Sequence, residues 1–381
     1  MNDFSEALLS WYRSCRRILP WREDPTPYHV WLSEIMLQQT RVDTVIGYYE
    51  RFLKVLPDVQ SLAEAEEETC LKLWQGLGYY SRVRNFQKAA VKVMEQYDGN
   101  IPGTVRELSS LNGIGPYTAA AIASIAFGVK AVSVDGNLLR IYLRLNSCAL
   151  SAADPAVRKS AEQFFLARMP EEGKGKPGDF NQALMDIGAT ICLPNGTPLC
   201  GECPLAAFCG AHAQGRETDY PSASPKTERK RYELTVLLLE TPEGVLLHKR
   251  PEKGLLAGLW EFPNSEGRLS EIEVIRWLSA KGLSFCTDRE KADALSETGK
   301  SAADGAQKQI TELPDASHIF THLEWRMRGY RVRFGTSIPD EILKRNGWTA
   351  AAPRELKELY SVPAAFRTYL KEYLSETKTE V

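Results

Sequence analysis

Residues 111–137 read LNGIGPYTAAAIASIAFGVKAVSVDGN, and this stretch decides how the first half of the chain folds. Just ahead of it, Thr104 opens a short helix with Glu107 three residues on, a reciprocal capping pattern. The chain then turns through Leu111-Asn112-Gly113-Ile114-Gly115, and Pro116 restarts a helix in its first turn, where a missing N–H costs nothing. Two glycines two apart let the backbone turn tightly, and the unpaired amides of the new helix can hold a phosphate. A plain glycine-rich turn between two core helices is the competing reading, and G-x-G alone does not exclude it. The stretch closes on Val132-Ser133-Val134-Asp135-Gly136-Asn137, a carboxylate and an amide flanking a glycine. Taken alone, that is a turn or a helix N-cap.

Upstream, Trp31 to Thr40 (WLSEIMLQQT) places Glu34 at helical spacing from Val30, Trp31, Leu37 and Gln38. An acid among apolar side chains has a raised pKa and can donate a proton near neutrality, whereas a half-exposed surface glutamate would do neither. From Asp3 to about His212 apolar residues recur at helical spacing in segments separated by Pro and Gly, which predicts a nearly all-helical region. Thr218 to Arg231 is polar and Pro-rich, as expected of a linker. Beyond it, Tyr232–Leu239 and Val245–Lys249 are β-prone runs joined by Thr241, Pro242, Glu243 and Gly244, a hairpin signature. Helices are predicted at Ile272–Leu278 and Pro353–Leu359, so the second domain reads as α+β. Thr287 to Gln309 is polar and reads as a surface loop or frayed helix, and the chain shows no internal repeat.

A chain of 381 residues with 43% hydrophobic composition can bury two or three cores. A net charge of −2 gives no global sign of a polyanionic partner, so any contact with nucleic acid has to be local. The longest apolar stretch, Thr118 to Val134, is broken by Ser124, Gly128, Lys130 and Ser133 and is too short for a membrane span. The N-terminus carries Asp3 and Glu6 without an apolar signal region, which leaves the cytoplasm as the expected location. Four of the eight cysteines form Cys192-x7-Cys200-x2-Cys203-x5-Cys209. Tetrahedral zinc sites usually use two short cysteine pairs, whereas one C-x-x-C with two outlying ligands suits a [4Fe–4S] cluster. The scattered Cys15, Cys70, Cys148 and Cys286 read as buried small residues.

In combination these residues resemble the helix-hairpin-helix, iron–sulfur DNA glycosylases, and within them the adenine-excising MutY family, over almost the whole chain. Leu111 to Thr118 matches the family hairpin, Val134 to Asn137 its catalytic turn, and Trp31 to Thr40 its general-acid helix. The resemblance implies that Glu34 protonates adenine at N7 and that Asp135 stabilises the oxocarbenium-like sugar or forms a transient covalent adduct, with Tyr117 and Asn137 orienting both. Related endonuclease III enzymes carry a Schiff-base lysine where Tyr117 stands, so the implied enzyme is monofunctional, without efficient strand cleavage. Arg22 and Gln182 are implied around the extruded base. Gln39, Tyr79, Arg82, Gly113, Gly115 and Thr118 are implied on the DNA, with Gln39 and Tyr79 filling the hole that flipping leaves, and Arg84 also suits a phosphate.

In the second domain, Gly258-Leu259-Trp260-Glu261-Phe262-Pro263 resembles the MutT/Nudix fold, but Ser265 to Glu273 lacks the R-E-x-x-E-E pattern that would hold Mg²⁺. Such a domain keeps recognition without hydrolysis. Phe320-Thr321-His322 matches the loop that inspects 8-oxoguanine in the opposite strand, with Thr321 where many members carry serine; a structural hairpin tip is the alternative. The whole chain then reads as an all-α helix-hairpin-helix core at 1–217 with a [4Fe–4S] loop, a linker at 218–231, a Nudix-like α+β domain at 232–370 and a tail at 371–381. The core divides into a six-helix part at about 18–131 and an iron–sulfur part made of the N-terminal helix and about 132–217. The implied partner is double-stranded DNA carrying adenine opposite 8-oxoguanine or guanine, met by a monomer of bacterial, nucleoid-associated type. The seven-residue first cysteine spacing, one more than the family's usual six, predicts a slightly longer loop with ligation unchanged. Two other readings stand beside it: a pyrimidine-lesion glycosylase with lyase activity, and a lesion-binding module without turnover.

Overall fold

The computed structural model describes residues 3–171, 176–222, 228–283 and 309–376. Residues 223–227 of the expected linker, nearly all of the expected 287–309 loop and the last five residues of the expected tail lie outside the described residues. The chain forms two compact units, one of Met1–Leu73 with Ser81–Lys226, the other of Trp74–Tyr80 with Thr227–Val381. The short segment Trp74–Tyr80, expected in the helical domain, thus groups with the C-terminal unit.

The first unit is helical. Its elements are α1 (Asp3–Cys15), α2 (Pro20–Glu23), α3 (Pro27–Leu37), α4 (Val42–Val55), α5 (Val59–Glu64), α6 (Glu67–Leu73), α7 (Ser81–Tyr97), α8 (Val105–Leu108), α9 (Pro116–Phe127), α10 (Gly136–Leu145), α11 (Pro155–Leu166), α12 (Pro177–Thr190) and α13 (Gly210–Ala213). Helices α2, α3, α9, α11 and α12 all begin at proline, whose fixed φ suits the first helical position. Thr104 caps α8 by accepting the Glu107 amide, while the Glu107 carboxylate takes the Thr104 hydroxyl at 2.6 Å.

Every side chain from Thr118 to Ser124 in α9 is buried, so the longest apolar stretch is the central core helix of this unit. No helix among the described residues is long and apolar enough to cross a membrane. Trp31 of α3 meets Phe86 of α7 edge-on at 4.6 Å, and Tyr28 stacks on the same ring at 5.8 Å. A second core joins Phe4, Leu8, Leu9 and Tyr12 of α1 to Leu138, Phe165, Phe180, Ile187 and Leu205. Each such side chain contributes about 1.5–3 kcal/mol by leaving water, which binds the N-terminal helix to the cysteine-bearing part of the chain.

The second unit is built, among the described residues, on a seven-stranded mixed sheet. Its strands are β1 (Lys230–Thr241), β2 (Gly244–Lys249), β3 (Trp260–Glu261), β4 (Asn264–Glu266), β5 (Gln309–Ile319), β6 (Leu323–Arg333) and β7 (Trp348–Ala351). Along the main path the order is β3-β2-β1-β6-β5, with β4 beside β1 and β7 beside β2. The expected hairpin is β1–β2, paired Thr241 to Gly244, and β1–β6 is parallel with Val236 opposite Gly329. Helix α14 (Glu271–Ala280) packs Val274 and Leu278 on one face of the sheet, and the helix Arg367–Glu376 covers the other with Tyr369 and Tyr373.

Two boundaries shift from expectation. The expected tail from 371 is helical to Glu376, because Tyr369 and Tyr373, four residues apart, share one buried face. The expected linker is held at both ends: the Tyr220 carbonyl accepts the Arg144 Nε–H at 2.9 Å, and β1 begins at Lys230.

Candidate active site

Helix α3 packs against α9, which brings Glu34 beside Tyr117, the second residue of α9. Glu34 is 6% exposed, and burial pushes its pKa up to about 7; nearby Asp135 pushes the same way, while the Tyr117 hydroxyl bond and the Arg22 charge pull it down. Asp135 is the N-cap of α10. Its Oδ1 accepts the Leu138 amide at 2.8 Å and its Oδ2 accepts the Asn137 side-chain amide at 2.9 Å. Burial raises the Asp135 pKa, opposed by these bonds and by Arg140. Both oxygens act as acceptors, the arrangement that suits a carboxylate. Asn137 is itself fixed, since its Oδ1 accepts from Arg140 at 2.9 Å, and Arg140 also donates to the carbonyls of Gly188 and Cys192. Helix α12 approaches here through Gly188, where a Cβ would lie 2.7 Å from that of Asn137.

Glu34, Tyr117, Asp135 and Asn137 line one cavity of about 810 Å³, counting its open mouth, together with Arg22 and Gln182. All six residues expected to act on the base or the sugar therefore converge. Two further residues were missed from sequence. Arg17 lines the same cavity, and Asp186, four residues past Gln182 on α12, pairs with both Arg17 and Arg22. The signal that singled out Glu34, an acid in an apolar helical segment (Phe180-Asn181-Gln182-Ala183-Leu184-Met185-Asp186), was equally present for Asp186.

The residues expected on DNA divide. Gln39 and Tyr79 are exposed and hold left-handed backbone, φ 56° and 48°, a conformation that side chains other than glycine rarely adopt and that clusters at functional positions. Gly113 is required where it stands, at φ 75° with a Cβ position only 2.7 Å from that of Asn85. Gly115 has ordinary φ, and its Cβ position faces open space beside the first-turn amides of α9. Thr118, expected on DNA, is buried within α9, with 2% of its surface exposed.

Arg82 is corrected. Its guanidinium turns inward to the carbonyls of Ile35, Met36 and Gln38 at 2.7–3.0 Å, closing the C-terminal end of α3 and holding the loop that carries Gln39. Arg84 likewise pairs with Glu67 at 2.9 Å.

In the second unit Phe320, Thr321 and His322 form the tip between β5 and β6. Phe320 packs on Trp325 at 5.0 Å, while Thr321 and His322 are exposed, and the Thr321 and Tyr79 hydroxyls lie 2.5 Å apart. Leu259 and Phe262 are fully buried, and Glu261 pairs with Arg250. At the start of α14, Glu273 closes a capping box on Ser270, accepting its amide at 2.7 Å.

Cys192, Cys200, Cys203 and Cys209 line a single cavity of about 410 Å³, counting its open side, walled by Ile141, Ile187, Ile191 and Leu205. Arg144 donates to the Cys192 sulfur at 3.2 Å. No three of these sulfurs lie within 4.8 Å of one another. A single tetrahedral zinc with Zn–S of about 2.3 Å would need all four at about 3.8 Å from one another, closer than they stand here. The close triplet among the described residues is Cys200 with His212 and Glu217, the last two bonded at 2.6 Å. Of the scattered cysteines Cys70 is buried and Cys148 half-buried; Cys15 is exposed, against expectation, and Cys286 lies outside the described residues.

Residues 32–165 match the HhH-GPD superfamily of base excision DNA repair proteins, and residues 235–372 match the NUDIX domain. The chain is 39% identical to an adenine DNA glycosylase of Rattus norvegicus over 69% of its own length and 60% of that protein's. It is 33% identical to the adenine DNA glycosylase of Homo sapiens, over 95% of this chain and 74% of that one. Among solved structures, a thermostable thymine-DNA glycosylase superposes on 55% of this chain and 95% of its own, with TM-score 0.50 and 28% identity.

Proposed function

The chain belongs to the adenine DNA glycosylase family of base excision repair proteins, and from that premise we propose that it excises adenine paired with 8-oxoguanine or guanine in duplex DNA by hydrolysis alone. The observation that carries this reading is the convergence of two unlike carboxyls on one cavity: Glu34, raised to about 7, and Asp135, held by donors on both oxygens. An acid near neutrality and a fixed anion are what cleavage of a glycosidic bond at a purine asks for.

The steps follow from those positions. Adenine leaves poorly as an anion, so Glu34 gives its proton to N7 and the bond to the sugar weakens. Positive charge grows on the sugar, and Asp135 faces it, either as an electrostatic partner or through a transient bond to the anomeric carbon that water then breaks. Tyr117 donates its hydroxyl to Glu34 and is no amine, so it offers no Schiff base and no route to strand cleavage. Gly113, Gly115 and the first-turn amides of α9 anchor the backbone phosphates; Gln39 and Tyr79 fill the stack; Phe320, Thr321 and His322 inspect the opposite base. The four cysteines hold a [4Fe–4S] cluster that supplies structure and no redox step, since hydrolysis of an N-glycosidic bond moves no electrons. The protein acts as a monomer on a single damaged duplex.

The test is incubation with duplexes carrying 8-oxoguanine:A, G:A and G:T, followed by alkali. Cleavage of the adenine strand after alkali, with little borohydride-trapped complex, is the expected result. No adenine-strand product from the 8-oxoguanine:A duplex would sink the reading, and efficient trapping would convert it to a lyase.

A further inference from the structure

We propose that Asp186 is the positioning residue of the base pocket, clamping the guanidiniums of Arg17 and Arg22 into its wall and thereby fixing the donors and the net charge that an extruded purine meets. The proposal rests on the reading of the cavity as an adenine site. Asp186 is 1% exposed and does not line the cavity, so it acts through the two arginines that do. Arg22 binds it as a fork, Nη1 to Oδ2 at 2.8 Å and Nη2 to Oδ1 at 3.0 Å. Arg17 reaches the same carboxylate from the other side, Nε to Oδ1 at 2.6 Å, and its carbonyl accepts from Arg22 at 3.3 Å. The guanidinium carbon of Arg22 also lies 5.6 Å over the centre of the Tyr12 ring, a second partner beside the fork.

The geometry divides labour along α12. Gln182 points into the cavity, and Asp186, one turn on, stands behind the arginines. A chain that needed only a tie between its N-terminal segment and α12 would be served by one arginine. Of the three clamped groups Arg22 is the one whose charge reaches Glu34, whose other charged or titratable neighbours are Tyr117 and Asp135. Removing the carboxylate would leave that guanidinium without its counter-charge.

The experiment measures single-turnover adenine excision against pH for the cluster-loaded protein, alongside duplex affinity and far-UV circular dichroism. Asp186→Asn is expected to lower the rate at pH 7.5 by about one to two orders of magnitude and to move the alkaline limb of the profile down by about one unit, because uncompensated cations favour ionised Glu34. Duplex affinity should change by less than about threefold. On an Arg22→Gln background the same substitution should add less than about threefold, since the two residues act as one unit. Asp186→Glu, which keeps the charge, should keep the limb in place. If Asp186→Asn fails to fold, Arg22→Lys carries the test: charge without the fork must cost the rate and leave the limb unmoved. An Asp186→Asn protein with the wild-type limb, or a defect fully additive with Arg22→Gln, overturns the proposal alone. A wild-type protein that excises no adenine defeats the underlying reading instead.

Discussion

Replacing Tyr117 with phenylalanine removes one oxygen and should move the pH dependence of excision upward. The Tyr117 hydroxyl donates to the Glu34 carboxyl, and that bond favours the ionised acid. A hydrogen bond to a charged group is worth about 1.5–3 kcal/mol in a buried setting, and one pKa unit corresponds to about 1.36 kcal/mol. Its loss therefore raises Glu34 by roughly one to two units, from about 7 to roughly 8–9. Glu34 must be protonated to act, so activity is present below this pKa and falls tenfold per unit above it. At pH 8.5 the protonated fraction should rise from about 3% to between roughly a quarter and three quarters. Single-turnover excision from an 8-oxoguanine:A duplex between pH 5.5 and 9.5 reads the limb directly. Its position is independent of any drop in the plateau from lost positioning. A limb that stays put, or moves toward acid, would refute the assignment of Glu34 as the titrating acid or of Tyr117 as its donor.

Asp135→Asn should cost at least about 10²-fold in excision while duplex affinity persists, because the charge facing the sugar is gone but the cap to Leu138 can be kept; gel-shift and excision assays on one preparation separate the two. Arg82→Ala should destabilise the fold by about 2–4 kcal/mol in denaturant, leaving α3's last carbonyls without their cation, while the salt slope of DNA binding stays within about 0.3 of wild type. Gly113→Ala should cost at least about 1–2 kcal/mol, since φ 75° and the Asn85 Cβ at 2.7 Å both oppose a side chain; chemical denaturation measures it. Cys192→Ser should lower iron content and visible absorbance, and an unchanged iron-to-protein ratio would exclude Cys192 as a ligand.

Much of this site was legible because its residues sit in local patterns. Glu34 stood out as an acid on an apolar helix, and the Gly113–Pro116 turn announced a helix restart whatever lay around it. What the sequence hid were pairings across distance. Arg82 looked like a free cation beside a glycine loop, and only the packing of α7 against α3 shows that its charge faces three carbonyls. Asp186 carried the same local signature as Glu34, but its meaning depends on Arg17 and Arg22, some 160 residues away. The domain edges slipped for a related reason: Tyr220 and Tyr373 lie in polar stretches yet are buried, each by partners far along the chain. Local composition records what a residue can do; its partners decide which of those things it does.

The capping box at Ser270 bears on what the first acids of α14 are free to do. The R-E-x-x-E-E pattern that would offer acids to a cation is missing from Ser265 to Glu273. Here Glu273 is turned back on its own helix, with both the amide and the hydroxyl of Ser270 on one oxygen at 2.7 Å. A carboxylate engaged that way starts α14 and has one of its two oxygens committed to that task. Drawing Glu273 away to a cation would therefore remove the cap that begins the helix carrying it. Such a step would cost about 0.5–2 kcal/mol of helix stability before any metal affinity was gained.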